Sequence, residues 1–125
     1  MNINGQEIGF ALTVGASVQI AKICPGNDIK RLTELLNKNK DDYIRTVEIM
    51  NTIMKCMNGG FVAGEKLKGN DAVRLTDEML EALTTDEYQE MQKEALRLFK
   101  KDGKGEVNAE RIPEKGKKEK TEAEK

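Results

Sequence analysis

The stretch MNINGQEIGFALTVGAS, residues 1–17, carries the strand signals of this chain and leads into its first helix. Asn4-Gly5 predicts a two-residue hairpin turn, because both turn positions require a positive φ that Asn and Gly tolerate. Ile8, Phe10 and Leu12 alternate with small or polar residues, so one face of the second strand is apolar. Because a lone hairpin is marginal in water, we expect it to lie against the following helices or against another chain.

The second of these options makes the hairpin a candidate self-association element. An edge strand presents unpaired backbone N–H and C=O groups, which invite pairing with another chain. Ile8, Phe10 and Leu12 are therefore the candidate self-association residues. A homo-oligomer assembled through this segment is the corresponding expectation.

Composition narrows the class of protein. The length of 125 residues fits one domain, and 34% charged with 4% aromatic residues predicts a small core of aliphatic side chains and Met. The formal net charge of −1 gives no global field that favours nucleic acid or an anionic membrane. No apolar run approaches the roughly 20 residues of a membrane span, and the N-terminus lacks the basic start of a signal peptide. We expect a cytoplasmic protein without nucleic-acid or membrane partners.

Capping residues predict where the first helices begin and end. Thr13 is the expected N-cap of the first helix, because its hydroxyl can accept a hydrogen bond from the N–H of Ala16. Pro25-Gly26-Asn27 is expected to end that helix, since Pro lacks a donor and Gly and Asn accept left-handed geometry. Asp28 is the expected cap of a short second helix.

The third helix carries the strongest helical pattern. Asp41 and Asp42 stand at its expected start, where acidic residues complement the helix dipole. Gly59-Gly60 is expected to end it, and residues 61–71 fit either a helical turn or a packed loop. Its apolar seam recurs at steps of four, three, four and three and consists of Tyr43, Val47, Met50, Met54 and Met57.

Two further helices and a polar tail complete the predicted fold. Thr76 and Thr84 precede the acidic residues of two helix starts, and Gly103 is expected to end the last helix. Residues 103–125 form a Lys/Glu-rich tail that buries too little to order and is expected to be disordered. The predicted fold is mainly α: one domain over residues 1–102, with an N-terminal β-hairpin and a small bundle of about five helices.

The residues offer little for catalysis. The chain has no His, and its two cysteines, Cys24 and Cys56, form no zinc-binding pattern. In a reducing cytoplasm we expect both to be thiols, and Cys24 to have a raised pKa because it lies at a helix C-terminus. The acidic pairs Asp41-Asp42 and Asp86-Glu87 stand where helices begin, so capping explains them better than a metal site. We expect no enzyme activity, no cofactor and no metal.

The methionines of the third helix admit two interpretations. Met50, Met54 and Met57 at helical spacing are most often core side chains. Met is also favoured on adaptable binding surfaces, because its side chain is flexible and polarisable. These three residues are therefore the candidate partner-binding residues, and the core interpretation stands beside that one.

A family resemblance adds a specific function. Residues 3–10 (INGQEIGF) and 13–16 (TVGA) resemble the start of the tail assembly chaperones of long-tailed phages and prophages, in which a short β segment runs into a helix like that of residues 13–22. Residues 75–83 (LTDEMLEAL) and 85–88 (TDEY) are similar to a later region of the same family. The resemblance spans roughly the whole chain, and its motifs are packing and capping patterns.

That resemblance implies partners and a location. Members of the family coat the tape measure protein, keep its apolar faces from aggregating and are absent from the finished virion. In many members a programmed frameshift gives a longer form whose extension recruits the tail tube protein. The implied location is the cytoplasm of an infected or lysogenic bacterial host.

Two other functions stay open. A head–tail or tail completion protein is also a small non-enzymatic phage protein, and it differs from a chaperone by being present in virions. A small regulator is the third, because helix–Pro25-Gly26-Asn27–helix is weakly similar to a helix-turn-helix. Its second helix offers only Lys30, Arg31 and Lys38 as cations, which are few for contacts to phosphates and bases.

Overall fold

The protein is mostly helical, with an antiparallel two-stranded hairpin followed by five α-helices in the part of the chain that the structure describes. That structure is a computed structural model, and it describes the backbone of residues 1–104. The mainly α fold with an N-terminal hairpin is confirmed. The elements are β1 (Asn2–Ile3), β2 (Gln6–Glu7), α1 (Val14–Ala21), α2 (Leu32–Lys38), α3 (Tyr43–Leu67), α4 (Asp77–Ala82) and α5 (Thr85–Lys104).

The hairpin turn is the one that the sequence predicts. Asn4 and Gly5 both have positive φ, at 51° and 85°, and the strands pair with Ile3 opposite Gln6. The side-chain oxygen of Asn2 accepts a hydrogen bond from the N–H of Gly5 at 3.1 Å, which adds a local support for the turn. The N-terminal ammonium pairs with the Glu7 carboxylate beside it.

Beyond β2 the chain leaves the sheet and lies along α3. Ile8, Phe10 and Leu12 are 0%, 4% and 8% exposed, and all three belong to the core of this chain. The N–H of Ala11 donates to the carbonyl oxygen of Met57 at 3.0 Å, which ties the segment to α3. The side chains of Ile8, Phe10 and Leu12 are thus occupied by packing within the chain, and their role in self-association stays a prediction.

Helix α3 runs through Gly59 and Gly60 rather than ending there, which corrects the predicted boundary. A Cβ atom at Gly60 would lie 2.5 Å from the hydroxyl of Thr13 and 2.8 Å from the carbonyl oxygen of Ala11. The glycine therefore allows the N-terminal segment to approach the helix closely. The helix ends at Leu67, and Gly69 just beyond it has a φ of 85°, the conformation typical of a glycine after a helix C-terminus.

A buried asparagine joins two extended segments to α3. The amide nitrogen of Asn58 donates to the carbonyl oxygens of Gly9 and Val73, both at 3.1 Å. Its side-chain oxygen accepts from the N–H of Leu75 at 2.8 Å. Asn58 is fully buried, so these bonds satisfy polar groups that have lost water. They tie the N-terminal segment and the connection to α4 to the same residue of α3.

The predicted caps are confirmed. Thr13 accepts from the N–H of Ala16 at 3.1 Å, and Thr76 accepts from the N–H of Met79 at 3.2 Å. Asp42 caps α3 by accepting from the N–H of Arg45 at 3.0 Å. Thr84 and Glu87 form a capping box at the start of α5, each accepting from the backbone N–H of the other.

Between α1 and α2 the chain forms two 3-10 turns. The first spans Pro25–Asn27, where Gly26 and Asn27 both have positive φ. Helix α1 itself ends at Ala21, earlier than the predicted end at Pro25-Gly26-Asn27. The second spans Ile29–Arg31 and is capped by Asp28, which accepts from the N–H of Lys30 at 3.0 Å. The second turn contacts both α1 and α2, and so links the two helices.

Helix α3 is the centre of the bundle, and both α1 and α5 pack against it. Met50 is 2% exposed, and Met54 and Met57 are fully buried in the core. The core interpretation of these methionines is therefore the one that the structure supports. Because all three side chains are buried in the core, a partner reaches them only where a groove opens onto α3, and their partner-binding role stays a prediction.

Helix α5 continues through Gly103, so this glycine does not end it as predicted. The predicted disordered tail spans residues 103–125. Its first two residues belong to the last turn of α5, and the rest, from 105 onward, lies outside the described residues.

Candidate binding groove

A groove separates the first half of α3 from α4 and the first half of α5. Its volume is about 350 Å³, and we refer to it as the α3–α4–α5 groove. Side chains of three helices and one connecting segment converge on it. They are Tyr43, Thr46, Val47, Met50, Asn51, Leu80, Glu81, Leu83, Thr85, Tyr88, Gln89 and Gln92.

The floor of the groove is apolar and deep. Met50 and Leu80 are almost fully buried, and the half-buried Leu83 packs against the core. Of the three candidate partner-binding methionines, Met50 is the one that lines the groove. A methionine at the base of a groove adapts its shape to different apolar side chains.

A tyrosine fixes one wall of the groove to the opposite wall. The hydroxyl of Tyr88 on α5 donates to the side-chain oxygen of Asn51 on α3 at 2.7 Å. Burial is the main cause that raises the pKa of Tyr88 to about 12, and the neighbouring Tyr43 adds to it. The phenol therefore stays protonated and remains a hydrogen-bond donor through the whole physiological range.

The rim of the groove carries an exposed aromatic side chain. Tyr43, in the first turn of α3, lines the groove and is 75% exposed. The next residue, Ile44, is 71% exposed and lies outside the lining. A large exposed apolar side chain beside an apolar floor is a feature of protein-binding surfaces.

The wall made by α4 and α5 is acidic. Residues 75–92 contain six carboxylates and neither Lys nor Arg. One carboxylate, that of Asp77, pairs with Lys55 at 2.6 Å, and Glu81 lines the groove and is exposed. Across the groove, the first turns of α3 carry charges of both signs, since Arg45 forms an ion pair with Glu48 at 3.5 Å. Of these six carboxylates only Glu81 lines the groove, so the lining combines an apolar floor with one acidic side chain.

Other exposed apolar side chains lie on separate parts of the surface. Val14 and Val18 are one turn apart on α1, and Leu67 is the last residue of α3. None of the three lines the α3–α4–α5 groove. Scattered exposed residues of this kind are normal on soluble proteins.

The two cysteines are free thiols with low reactivity. Cys24 is buried and its thiol donates to the carbonyl oxygen of Ile20 at 3.4 Å. Burial raises the pKa of Cys24, and the Asp28 carboxylate adds to the effect; burial also raises the pKa of Cys56. A thiol that resists ionisation is a poor nucleophile and metal ligand. Within residues 1–104, no group of three or more Cys, Asp and Glu side chains is placed to hold a metal ion.

One cation of the helix-turn-helix hypothesis is already paired. The guanidinium of Arg31 makes two hydrogen bonds with the Glu34 carboxylate, at 3.0 and 2.6 Å. The α2 helix that would carry the contacts is seven residues long and directs Leu32 and Leu35 into the core.

The sequence pattern does not reveal the groove as a site. Of its residues, Tyr43 and Met50 belong to the apolar seam predicted for the third helix. The signal that distinguishes this region is the run of acidic residues from Asp77 to Glu90 without a cation. That charge run was interpreted only as helix capping.

Comparison with known proteins gives no match to a family model, a curated protein or a solved structure. Among the helices of the described residues, none combines the length and the apolar character needed to cross a bilayer.

Proposed function

We propose that this chain is a tail assembly chaperone of a long-tailed phage or prophage, which binds the tape measure protein and keeps it soluble during tail assembly. Its role is binding rather than catalysis. A longer frameshifted form would recruit the tail tube protein. The place of action is the cytoplasm of the bacterial host, and the protein is not expected in the mature virion.

The observation that carries the proposal is the α3–α4–α5 groove. It offers an apolar floor at Met50 and Leu80, with the exposed Tyr43 at its rim. A tape measure protein is long and largely helical, so its unassembled helices expose apolar stripes that need cover. The groove has the dimensions and chemistry to cover one or two such side chains at a time. The resemblance of residues 3–22 and 75–88 to the chaperone family supports the same conclusion.

Weak individual contacts suit this role. One groove covers a short stretch of a long partner, so many copies are needed along it. When many copies bind one chain, avidity holds the assembly together while each copy exchanges readily. A coat of this type is removed easily when the tail tube polymerises around the tape measure protein.

Co-expression tests the proposal. The tape measure gene that the proposal expects next to this one is expressed alone and together with the chain, and the soluble fraction of its product is measured. We expect the chain to move most of the tape measure protein into the soluble fraction and to co-purify with it. Equal insolubility with and without the chain would contradict the proposal, as would the absence of a long helical gene in that neighbourhood.

Purified virions separate the chaperone from a tail completion protein. A chaperone leaves during assembly, whereas a completion protein stays as a structural subunit. Mass spectrometry of virions should detect tape measure and tail tube peptides but no peptide of this chain. Its presence at a fixed copy number would favour the completion protein instead.

A further inference from the structure

We infer that the α3–α4–α5 groove binds an amphipathic helix of the partner in which a large apolar side chain is flanked by Lys or Arg residues. The inference rests on the proposed function for the identity of the partner, the tape measure protein, and adds the chemistry of the segment that it binds. It assigns the apolar anchor to the floor at Met50 and Leu80, and the flanking cations to the α4–α5 wall.

The shape of the groove supports a helical occupant. Two helices, α3 and α5, form its long walls, and the hydrogen bond between Tyr88 and Asn51 holds them together. Amphipathic helices bind such grooves through apolar side chains spaced three, four and seven residues apart. The volume of about 350 Å³ is at the lower end of the range for binding cavities, which fits one or two anchors and not a whole helix face.

The charge of the groove determines what flanks the anchor. Of the six carboxylates in residues 75–92, Glu81 is the one in the groove lining, and Asp77 on the same helix pairs with Lys55. Glu81 is exposed at the groove itself. A negatively charged wall repels acidic partners and attracts basic ones, so it selects among apolar helices by charge. Hydrophobic burial alone would not make that selection.

Three labelled helical peptides test the inference with the full chain. Each has about 18 residues, or five turns, to span the groove. The first has Leu and Phe anchors flanked by Lys, the second has Glu in place of Lys, and the third has Ala in place of the anchors. Fluorescence anisotropy measures their affinities. We expect the first peptide to bind about tenfold more tightly than either of the others.

Matched variants locate the binding to the groove. Tyr43→Ser removes the exposed aromatic rim, and Ile44→Ser changes a similarly exposed side chain outside the groove. Glu81→Lys reverses a charge in the groove, and Asp71→Lys makes the same change outside it, in the connection between α3 and α4. We expect Tyr43→Ser and Glu81→Lys to weaken the Lys peptide about tenfold and about fivefold. The Ile44 and Asp71 variants should change affinity less than about twofold.

Four results would overturn the inference. They are no binding of the Lys peptide, equal affinity for the Lys and Glu peptides, undiminished binding of the Ala peptide, and equal loss in the groove and control variants. A concentration-dependent dimer that Tyr43→Ser and Glu81→Lys abolish would also overturn it, because a second copy would then be the occupant. Circular dichroism confirms that each variant is folded.

The co-expression assay keeps this inference separate from the proposed function. If the wild-type chain solubilises the tape measure protein and the Tyr43→Ser and Glu81→Lys variants do so equally well, the function stands and the groove assignment fails. If the wild-type chain binds the Lys peptide but leaves the tape measure protein insoluble, the proposed function fails and the groove remains a site for basic apolar helices.

Discussion

Replacing Asn58 with alanine should destabilise this fold more than any other change of a single polar side chain considered above. The side chain makes three hydrogen bonds in a fully buried position, to Gly9, Val73 and Leu75. Asn58→Ala leaves two carbonyl oxygens and one N–H without these partners. An unsatisfied buried group costs about 1–3 kcal/mol. Because the bonds to Gly9 and Val73 are only partly buried, we expect the three groups together to cost about 3–6 kcal/mol. Domains of this size have a free energy of unfolding of about 5–15 kcal/mol, so the variant approaches the limit of folding.

Urea denaturation followed by helical circular dichroism measures this loss. With an m-value of about 2 kcal/mol/M, a loss of about 4 kcal/mol lowers the unfolding midpoint by about 2 M. Asn37→Ala is the matched control, because Asn37 is exposed on α2, and its effect should stay within about 0.5 kcal/mol. A loss below about 1 kcal/mol for Asn58→Ala would refute the argument that this residue holds both segments on α3.

Three further predictions concern packing, ionisation and capping. Gly60→Ala should lower the free energy of unfolding by about 1–3 kcal/mol in urea denaturation, because the added Cβ would clash with Thr13. Gly64 has open space around it, so Gly64→Ala should raise that free energy by about 0.5–1 kcal/mol. Equal effects of the two changes would contradict the close approach at Gly60. In a Tyr43→Phe variant the remaining tyrosine, Tyr88, should titrate in the ultraviolet with a pKa that burial still raises above 10.0. Because burial raises the pKa of Tyr88 from 10.0, the contribution of the protonated phenol to stability is complete below pH 10 and is lost as the pH rises toward 12. A titration midpoint of Tyr88 near pH 10 would contradict its burial. Thr76→Ala should cost about 1 kcal/mol through loss of the α4 cap, and an unchanged midpoint in urea would contradict that role.

The parts of the fold that depend on neighbouring residues were predictable from the sequence. The hairpin turn at Asn4-Gly5 and the caps at Thr13 and Thr76 each involve residues within three positions of one another. Their geometry follows from the φ preference of Asn and Gly and from the acceptor oxygen of Thr. These turn and cap preferences are local, so they hold whatever distant segments later pack against them.

The errors in the predicted fold come from distant contacts. Gly59-Gly60 looks like a helix end when only its neighbours are considered. The close approach of Ala11 and Thr13, almost fifty positions away, explains why Gly60 is glycine within a continuous helix. The alternating run Ile8 to Leu12 is likewise typical of a strand, but it packs on α3 as an extended segment.

The candidate site was hidden for the same reason. The groove takes residues from α3, α4 and α5, and no short stretch of sequence contains all of them. The methionine seam correctly located the helix at the centre of the bundle, but its spacing cannot say which methionine reaches a groove. Only Met50 of the three does so. The acidic run of residues 75–92 is visible in the sequence, but its position beside the groove depends on how α4 and α5 pack against α3.

The most direct test of the central claim is site-specific photo-crosslinking in cells that express the chain with its neighbouring tape measure protein. A benzophenone amino acid replaces Tyr43 at the groove rim or, as a control, the exposed Val14 on α1. We predict a crosslink to the tape measure protein from position 43 and little or none from position 14. A crosslink from position 14 alone, or none to the tape measure protein from either position, would contradict the claim that the α3–α4–α5 groove binds it.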